Sequence, residues 1–476
     1  MKKLYLINNV GLFWFKYLLF ILLVSMITEN ILLTFASLAV LPLVLHLVYR
    51  QNEPPIFPFI IFFHWIQISV KIFHADLLNV SIDTISMFDS TSLAIYLSLF
   101  GLFALSFTIY IVTSKISITN KSMLERAVKD LSLPKVLLIY FFALIISLLL
   151  VSVKSIIPSL GAIIHTFLGL KSIFLYVLFL VLLVNKNYKL LFILLLLETA
   201  IGFSGFFSSF KSVYIIFFIA YFTLNSKIEF KRILMVSPII ILILTLTIVW
   251  TAIKPEYRST VSDGRTNQSV NIDTSTQLNL YYNLLSNLDE EKLTVALEAF
   301  AYRLEYIEFF AQTINTVPSN VDYEYGKLWF TAYTNIFQPR FLFPNKPKLD
   351  DSIRTNKYTG LRFAGIDEGL SVSLGYFAES YIDFGYFMFI LLFILGAFYS
   401  YIYKYFMTTT KYKVLAYGIL VYILYNHYLF ETRNDKVVGG IMISLIIILI
   451  TKKIFLIPLY KYMRISNKSY QNRKGI

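Results

Sequence analysis

The chain alternates long apolar runs with short polar breaks, and it has one long exception. Apolar runs near 9–27, 30–49, 56–74, 91–113, 135–153, 171–184, 190–207, 212–224, 233–252, 378–403, 414–430 and 437–456 each predict a helix. About 20 apolar residues in helical form cross a hydrocarbon core of about 30 Å. The pattern therefore predicts an all-α polytopic membrane protein with about twelve transmembrane helices, the runs between 171 and 224 being the shortest. The exception is the polar stretch 253–377. It separates an N-terminal block of about nine spans (1–252) from a C-terminal block of about three (378–456), which a basic tail (457–476) follows. One large water-facing segment is where such a protein is expected to carry its chemistry.

Inside that segment the pattern changes twice. The Ser-, Thr- and Asn-rich stretch 259–279 predicts irregular chain. Over 290–316, Leu293, Leu297, Phe300, Leu304, Ile307 and Ile314 recur at three- and four-residue steps, with Glu298, Glu305, Glu308 and Gln312 mostly off the stripe. That spacing predicts one amphipathic helix, lying on the membrane surface or over the bundle as a lid. Pro339, Pro344 and Pro347 then predict an extended, irregular segment from which Arg340, Lys346 and Lys348 project.

Composition excludes several functions. The 476 residues are 57% hydrophobic and only 15% charged, with a mean hydropathy of +0.69, whereas a soluble chain is nearer a quarter charged. With no cysteine there is no disulfide, iron–sulfur cluster or thiol nucleophile. Five histidines without HExxH-like spacing predict no protein-built metal site, and no cofactor is expected. The formal charge of +14 would suggest nucleic acid in a soluble protein. Here topology accounts for most of it. With the N-terminus inside, 23 Lys or Arg fall in the inner segments and tails. Six fall in the short outer ones: Lys71, Lys154, Lys171, Lys211, Arg433 and Lys436. This bias predicts cytoplasmic termini, an uncleaved first helix and an extracytoplasmic 253–377 loop. It also points to anionic lipid and away from nucleic acid.

Twelve further Lys or Arg between 253 and 370 are not required by topology. Arginine presents a planar fork that matches phosphate oxygens, so Arg340 and its neighbours are candidates for holding an anion. Arg303, on the amphipathic helix, either joins them or pairs with a neighbouring glutamate. Lys211 stands in the small-residue turn GFSGFFSSFKS, and Arg433, Asp435 and Lys436 occupy the turn ETRNDK between the last two spans. Glu379, where the loop re-enters the bilayer, is either a proton acceptor or the buried partner of Arg433. His427 is either a general base or an interfacial ring. Tyr281, Tyr282, Tyr323, Tyr325, Trp329, Tyr333 and Tyr358 suit the apolar faces of sugars, and equally a membrane interface.

This order of features resembles the O-antigen polymerase (Wzy-type), or oligosaccharide repeat unit polymerase, family. The resemblance rests on Arg303, Tyr325 with Gly326, Pro339 with Arg340, and Pro344, Lys346 and Pro347. It continues through Gly375, Glu379, Tyr381, Phe384 and Gly385 to the turn with Arg433 and Asp435. The C-terminal half matches closely and the N-terminal half by topology alone. Asp383 stands where the family usually has asparagine, and Lys211 where it tends to have arginine. The resemblance implies a C-type glycosyltransferase-like fold in a bacterial inner (cytoplasmic) membrane. It implies transfer of a growing glycan from undecaprenyl pyrophosphate to a sugar hydroxyl of an incoming lipid-linked repeat unit. Arg340, Arg303, Arg433, Lys211, Lys346, Tyr325 and Tyr381 would bind pyrophosphate or substrate, with Glu379 and His427 catalytic. A polysaccharide chain-length regulator is the partner it allows. A lipid-linked glycan flippase or exporter is the alternative from another class, although such transporters usually show two similar halves. An O-antigen ligase, which would share the chemistry and a large outer loop, and a sugar-modifying acyltransferase are further alternatives.

The topology is directly testable. In this cysteine-free chain, a single cysteine placed at Ser262 should react with a membrane-impermeant reagent in intact cells. Reaction only after membrane disruption would reverse the assigned sides.

Overall fold

Backbone amides in a lipid core must bond within their own segment, and the apolar runs fold accordingly as helices. The computed structural model describes residues 16–156, 161–206, 209–226, 230–262, 270, 272–338, 342–343, 345–346, 350–365, 371–425 and 430–465. Among them, eight helices are long and apolar enough to cross a membrane. They are Ile31–Val48, Ile56–Leu77, Thr91–Thr113, Leu133–Val151, Ile163–Val184, Leu234–Val261, Tyr376–Thr409 and Asn434–Met463. Lys16–Ser25, Phe210–Leu224 and Lys413–Leu424 are shorter apolar helices, and Tyr188–Phe203 packs among them. No strand occurs among the described residues.

Burial explains the short members. Every residue from Val414 to Leu424 is buried, as is every residue from Ser172 to Leu182. A helix that is apolar on all faces belongs in the interior. The longer helices instead turn Phe142, Leu149, Met235, Ile241 and Ile450 outward, leaving an apolar surface for lipid. The protein is a membrane-embedded helical bundle.

The end of the bundle away from the 262–375 loop is fixed by a partly buried arginine. Arg50 donates to the carbonyls of Thr113 (2.6 Å) and Ile116 (2.7 Å), at the close of the Thr91–Thr113 helix, and to Glu53 (2.6 Å). Tyr403 donates to the same Glu53 carboxylate at 2.6 Å. A cation on terminal carbonyls offsets the negative end of a helix.

The loop end departs from the hydropathy pattern in three places. The helix expected to stop at 252 runs on as Phe230–Val261. Tyr257 is buried on its last turns, between the rings of Trp250 (5.2 Å) and Tyr281 (4.7 Å). Packing thus extends the helix after hydropathy has fallen, and Lys254 and Arg258 ride on it. Ser262, just beyond, is buried, so a cysteine for surface labelling belongs at exposed Asn279 instead.

Secondly, part of the stretch expected to be irregular is the helix Thr274–Ser286, capped by Asp273, which accepts from the Thr276 amide at 3.0 Å. Its polar sequence hides its buried side. Gln277 donates to the Tyr257 hydroxyl (2.5 Å) and the Ser204 carbonyl (2.9 Å), while Tyr281 donates to the Phe203 carbonyl (2.6 Å).

Thirdly, 290–316 is two helices, Glu290–Leu304 and Ile307–Thr316, and not one. The break falls where Glu305 is drawn into the bundle by Lys71 (2.8 Å) and His74 (2.5 Å). Lys71 also meets Glu308 at 3.2 Å. Burial pushes the Glu308 carboxyl above its ordinary range, and Lys71 opposes that shift. The first helix lies along Phe230–Val261 with Val295 and Leu297 facing out, and the second is packed inward through Ile307, Phe310 and Ala311.

The chain re-enters the bundle at two glycines. Gly375 has φ +84°, and a Cβ there would stand 2.5 Å from the Phe430 carbonyl oxygen. Gly385 has φ +55°, and a Cβ there would stand 2.9 Å from the Tyr323 hydroxyl. Both positions require the missing side chain. Between them Asp383 accepts from the amides of Leu328 (3.1 Å) and Trp329 (3.0 Å), capping the Lys327–Ile336 helix. Two carboxylate oxygens for two amides give this aspartate a function that one amide oxygen would serve less well. Nearby, the Lys357 ammonium and the Tyr358 hydroxyl hold the Glu324 carboxyl down at about 2.

Candidate anion site at the loop end

Two groups of charged side chains meet where the loop joins the bundle, and they differ in balance. The first is neutral. Arg354 Nη1 lies 2.5 Å from Glu379 Oε1, and Arg354 Nη2 lies 3.6 Å from Asp435. Arg433 contacts Asp435 (2.7 Å), Asp351 (3.1 Å) and, more distantly, Glu379 (3.9 Å). Lys436 binds the other Asp351 oxygen. The Asn434 amide donates to Glu379 Oε2 at 2.7 Å. Three cations thus face three carboxylates. Glu379 is fully buried, and Arg433, Asp351 and Asp435 nearly so. Burying an ion is tolerable only when it is paired, and this group balances its charges locally, while Arg433 Nε and both Asp435 oxygens make no hydrogen bond among the described residues. It pins three elements together: the Asp351–Thr359 helix, the entry of Tyr376–Thr409 and the turn that opens Asn434–Met463.

The second group is not neutral among the described residues. Lys211 begins the Phe210–Leu224 helix, Lys254 and Arg258 stand four residues apart on Phe230–Val261, and Arg303 lies in the last turn of Glu290–Leu304. Arg303 acts electrostatically on each of the other three. Among the described residues, Glu431 is a carboxylate that reaches this group. It lies 3.3 Å from Arg303 Nη2 and also acts on Lys211. Arg258 is partly engaged, stacking on Phe206 at 4.8 Å and donating to its carbonyl at 3.3 Å. Lys211 and Lys254 make no ion pair among the described residues. Both are partly buried, whereas the Arg303 side chain is 64% exposed. Lys211, Lys254 and Arg258, all partly buried, and the exposed Arg303 repel one another. Such an arrangement is relieved by a bound anion. Tyr306 sits between the groups, its hydroxyl feeling Glu431 and Arg303 together with Asp351 and donating to the Ser373 carbonyl.

The expected site residues therefore separate. Lys211 and Arg303 come together in the cationic group. Glu379 and Arg433 come together in the neutral one, so Arg433 does not converge with Arg303 on a shared anion: three carboxylates surround it. The Glu379 partner at closest range is Arg354, not Arg433. Lys346 donates to the carbonyls of Asn335 (2.8 Å) and Gln338 (3.1 Å) around the end of the Lys327–Ile336 helix, a capping contact. Tyr381 is buried, its ring 6.1 Å from Tyr323, and Tyr325 is exposed, its ring 6.4 Å from Tyr323. Arg340 and His427 lie outside the described residues, as do Pro339, Pro344, Pro347 and Lys348. Sequence reasoning missed Lys254, Arg258, Arg354 and the pairing of Glu431. The four-residue spacing of Lys254 and Arg258 just after Trp250 was the available signal for the first two.

The neutral group makes a stability prediction. Glu379→Gln leaves two buried guanidinium groups short of one negative charge and should destabilise the protein by about 3–5 kcal/mol. Arg354→Gln should do the same. The double variant should recover part of the loss, since it removes the pair together. Thermal unfolding in detergent, followed by size-exclusion chromatography, measures all three. A stable but inactive Glu379→Gln variant would restore the reading of Glu379 as a proton acceptor.

Comparison with known proteins agrees with no named function: neither a curated protein nor a solved structure matches the chain. One family model matches residues 4–457, nearly the whole length, and the chain accordingly belongs to the family defined by that domain of unknown function (DUF8712).

Proposed function

We propose that this protein polymerises lipid-linked oligosaccharide repeat units on the outer face of the bacterial cytoplasmic membrane. The observation that carries the proposal is the pair of partly buried lysines, Lys211 and Lys254, which make no ion pair among the described residues and stand beside Arg303 and Arg258. A polyprenyl pyrophosphate places two phosphates at that depth while its tail stays in lipid. The polar order of residues through the loop, from Arg303 to Arg433, supports the same family of reactions. Twelve spans, cytoplasmic termini and an extracytoplasmic loop complete the proposal, and the charge bias of the short segments supports them.

In the proposed reaction the acceptor sugar hydroxyl attacks the anomeric carbon of the donor glycan. A new glycosidic C–O bond forms, the C–O bond to undecaprenyl pyrophosphate breaks, and the hydroxyl proton is released. The donor is already activated, so no nucleotide is consumed. The four cations stabilise the negative charge that grows on the leaving pyrophosphate. Glu431, beside Arg303 and partly exposed, is the carboxylate placed to take the proton or orient the hydroxyl. Glu379 has no such access, because Arg354 and the Asn434 amide occupy its oxygens.

Reconstituted protein supplied with lipid-linked repeat units should make polymer. Lys211→Gln and Lys254→Gln should each slow it about ten- to a hundredfold, the effect of one lost charge-assisted contact of about 1.5–3 kcal/mol. Normal polymer from both variants at normal expression would remove the cluster from the reaction. The reaction class has its own readout in cells lacking the protein. Single repeat units on the acceptor lipid support a polymerase, unattached polymer a ligase, and glycan trapped inside a flippase.

A further inference from the structure

The end of the bundle away from the loop holds a cavity of about 360 Å³. Its walls come from the segment 117–130, the turn 411–413 and the end of the last helix. Lys411, Lys413 and Arg464 line it, against a single carboxylate, Asp130. Arg464 and Asp130 approach only to 3.8 Å, both well exposed. Tyr412 packs against Tyr460, ring centroids 4.8 Å apart and tilted by 31°, as an aromatic floor, and Arg464 and Lys411 lie over the Tyr412 ring at 5.7 and 5.9 Å. The opposite wall is apolar, formed by Met123, Leu124 and Ala127 of the Lys121–Lys129 helix.

We infer that this cavity holds the headgroup of an anionic phospholipid. The three cations supply the charge for a phosphodiester. The apolar wall supplies what a free phosphate or a soluble anion would not use. Ile118 and Met123 are 62% and 63% exposed at the mouth, on the segment that also carries Lys121, Arg126 and Lys129. Exposed apolar side chains next to cations on a short amphipathic helix are the pattern of a segment lying in the bilayer interface. A lipid arriving laterally would set its phosphate against Arg464 and Lys411 and its glycerol and upper acyl carbons against Met123. Lys413 is committed in addition to the Met407 carbonyl, at 2.6 Å, so it holds the turn in place.

The test uses the full-length purified protein, stripped of lipid and followed by native mass spectrometry. Phosphatidylglycerol should bind at one saturable site, and phosphatidylcholine and inorganic phosphate should not displace it. Removing one cation near a membrane surface weakens anionic-lipid binding about fivefold, so Lys411→Gln with Arg464→Gln should weaken it about twenty-five-fold. Asp130→Asn acts in the opposite direction and should strengthen binding by a similar single-charge factor. Because Asp130 is exposed, that variant keeps the proposal testable if the double substitution fails to fold. A photoactivatable phosphatidylglycerol should label peptides containing Met123 or Tyr412 in the unmodified protein. Equal binding of phosphatidylcholine, full competition by inorganic phosphate, indifference to Asp130→Asn, or labelling confined to other peptides would each overturn it.

Discussion

Glu379 and Arg354 meet at 2.5 Å with the Glu379 side chain fully withdrawn from water, and the loop end is organised around that contact. A charge buried at the edge of a membrane protein has to be balanced where it stands. Arg354 comes from the loop, Glu379 from the helix that re-enters the bundle, and Arg433 and Asp435 from the N-cap and first turn of the last long helix. Their mutual neutralisation ties the three together. It also fixes the geometry around Gly375, where the Tyr376 amide bonds the Thr432 carbonyl at 2.9 Å and no Cβ would fit against Phe430. Glu431 sits inside that pinned turn, so the carboxylate that faces Arg303 is held by its neighbours' pairing.

Against this balanced background the second cluster is conspicuous. Lys211, Lys254, Arg258 and Arg303 arrive from three separate helices, and each adds to the others' repulsion. A fold that compensates Lys71 with Glu305 and Glu308, and Lys171 with Glu198 at 2.8 Å, does supply carboxylates where a cation only needs burying. Leaving Lys211 and Lys254 without an ion pair among the described residues costs stability. A polyprenyl pyrophosphate would supply the missing negative charge while its tail remained among the outward-facing side chains of the bundle.

Much of the bundle was legible because lipid imposes one rule on every span. Apolar length placed most described helix starts to within a few residues, although eight helices, and not twelve, are long and apolar enough to cross a membrane among the described residues. The loop end was less legible for reasons that particular residues make clear. Hydropathy falls at Thr251, yet Tyr257 packs between two rings and carries the helix to Val261. The polar sequence 274–286 is helical because Gln277 and Tyr281 find partners on another element, which no local pattern records. Glu305 and Glu308 look like the solvent side of an amphipathic helix until Lys71, more than 200 residues earlier in the chain, is seen to face them. Arg354 carries no motif at all. Its importance comes entirely from the partners that folding brings to it.

The account turns on whether the cationic cluster binds a lipid-borne pyrophosphate. The most direct measurement is the affinity of the protein in nanodiscs for farnesyl pyrophosphate, with farnesyl monophosphate as the comparison. The account predicts saturable binding that favours the pyrophosphate, weakens as salt is raised, and falls about a hundredfold or more in the Lys211→Gln, Lys254→Gln double variant. Equal affinity for the intact protein and that variant would contradict it.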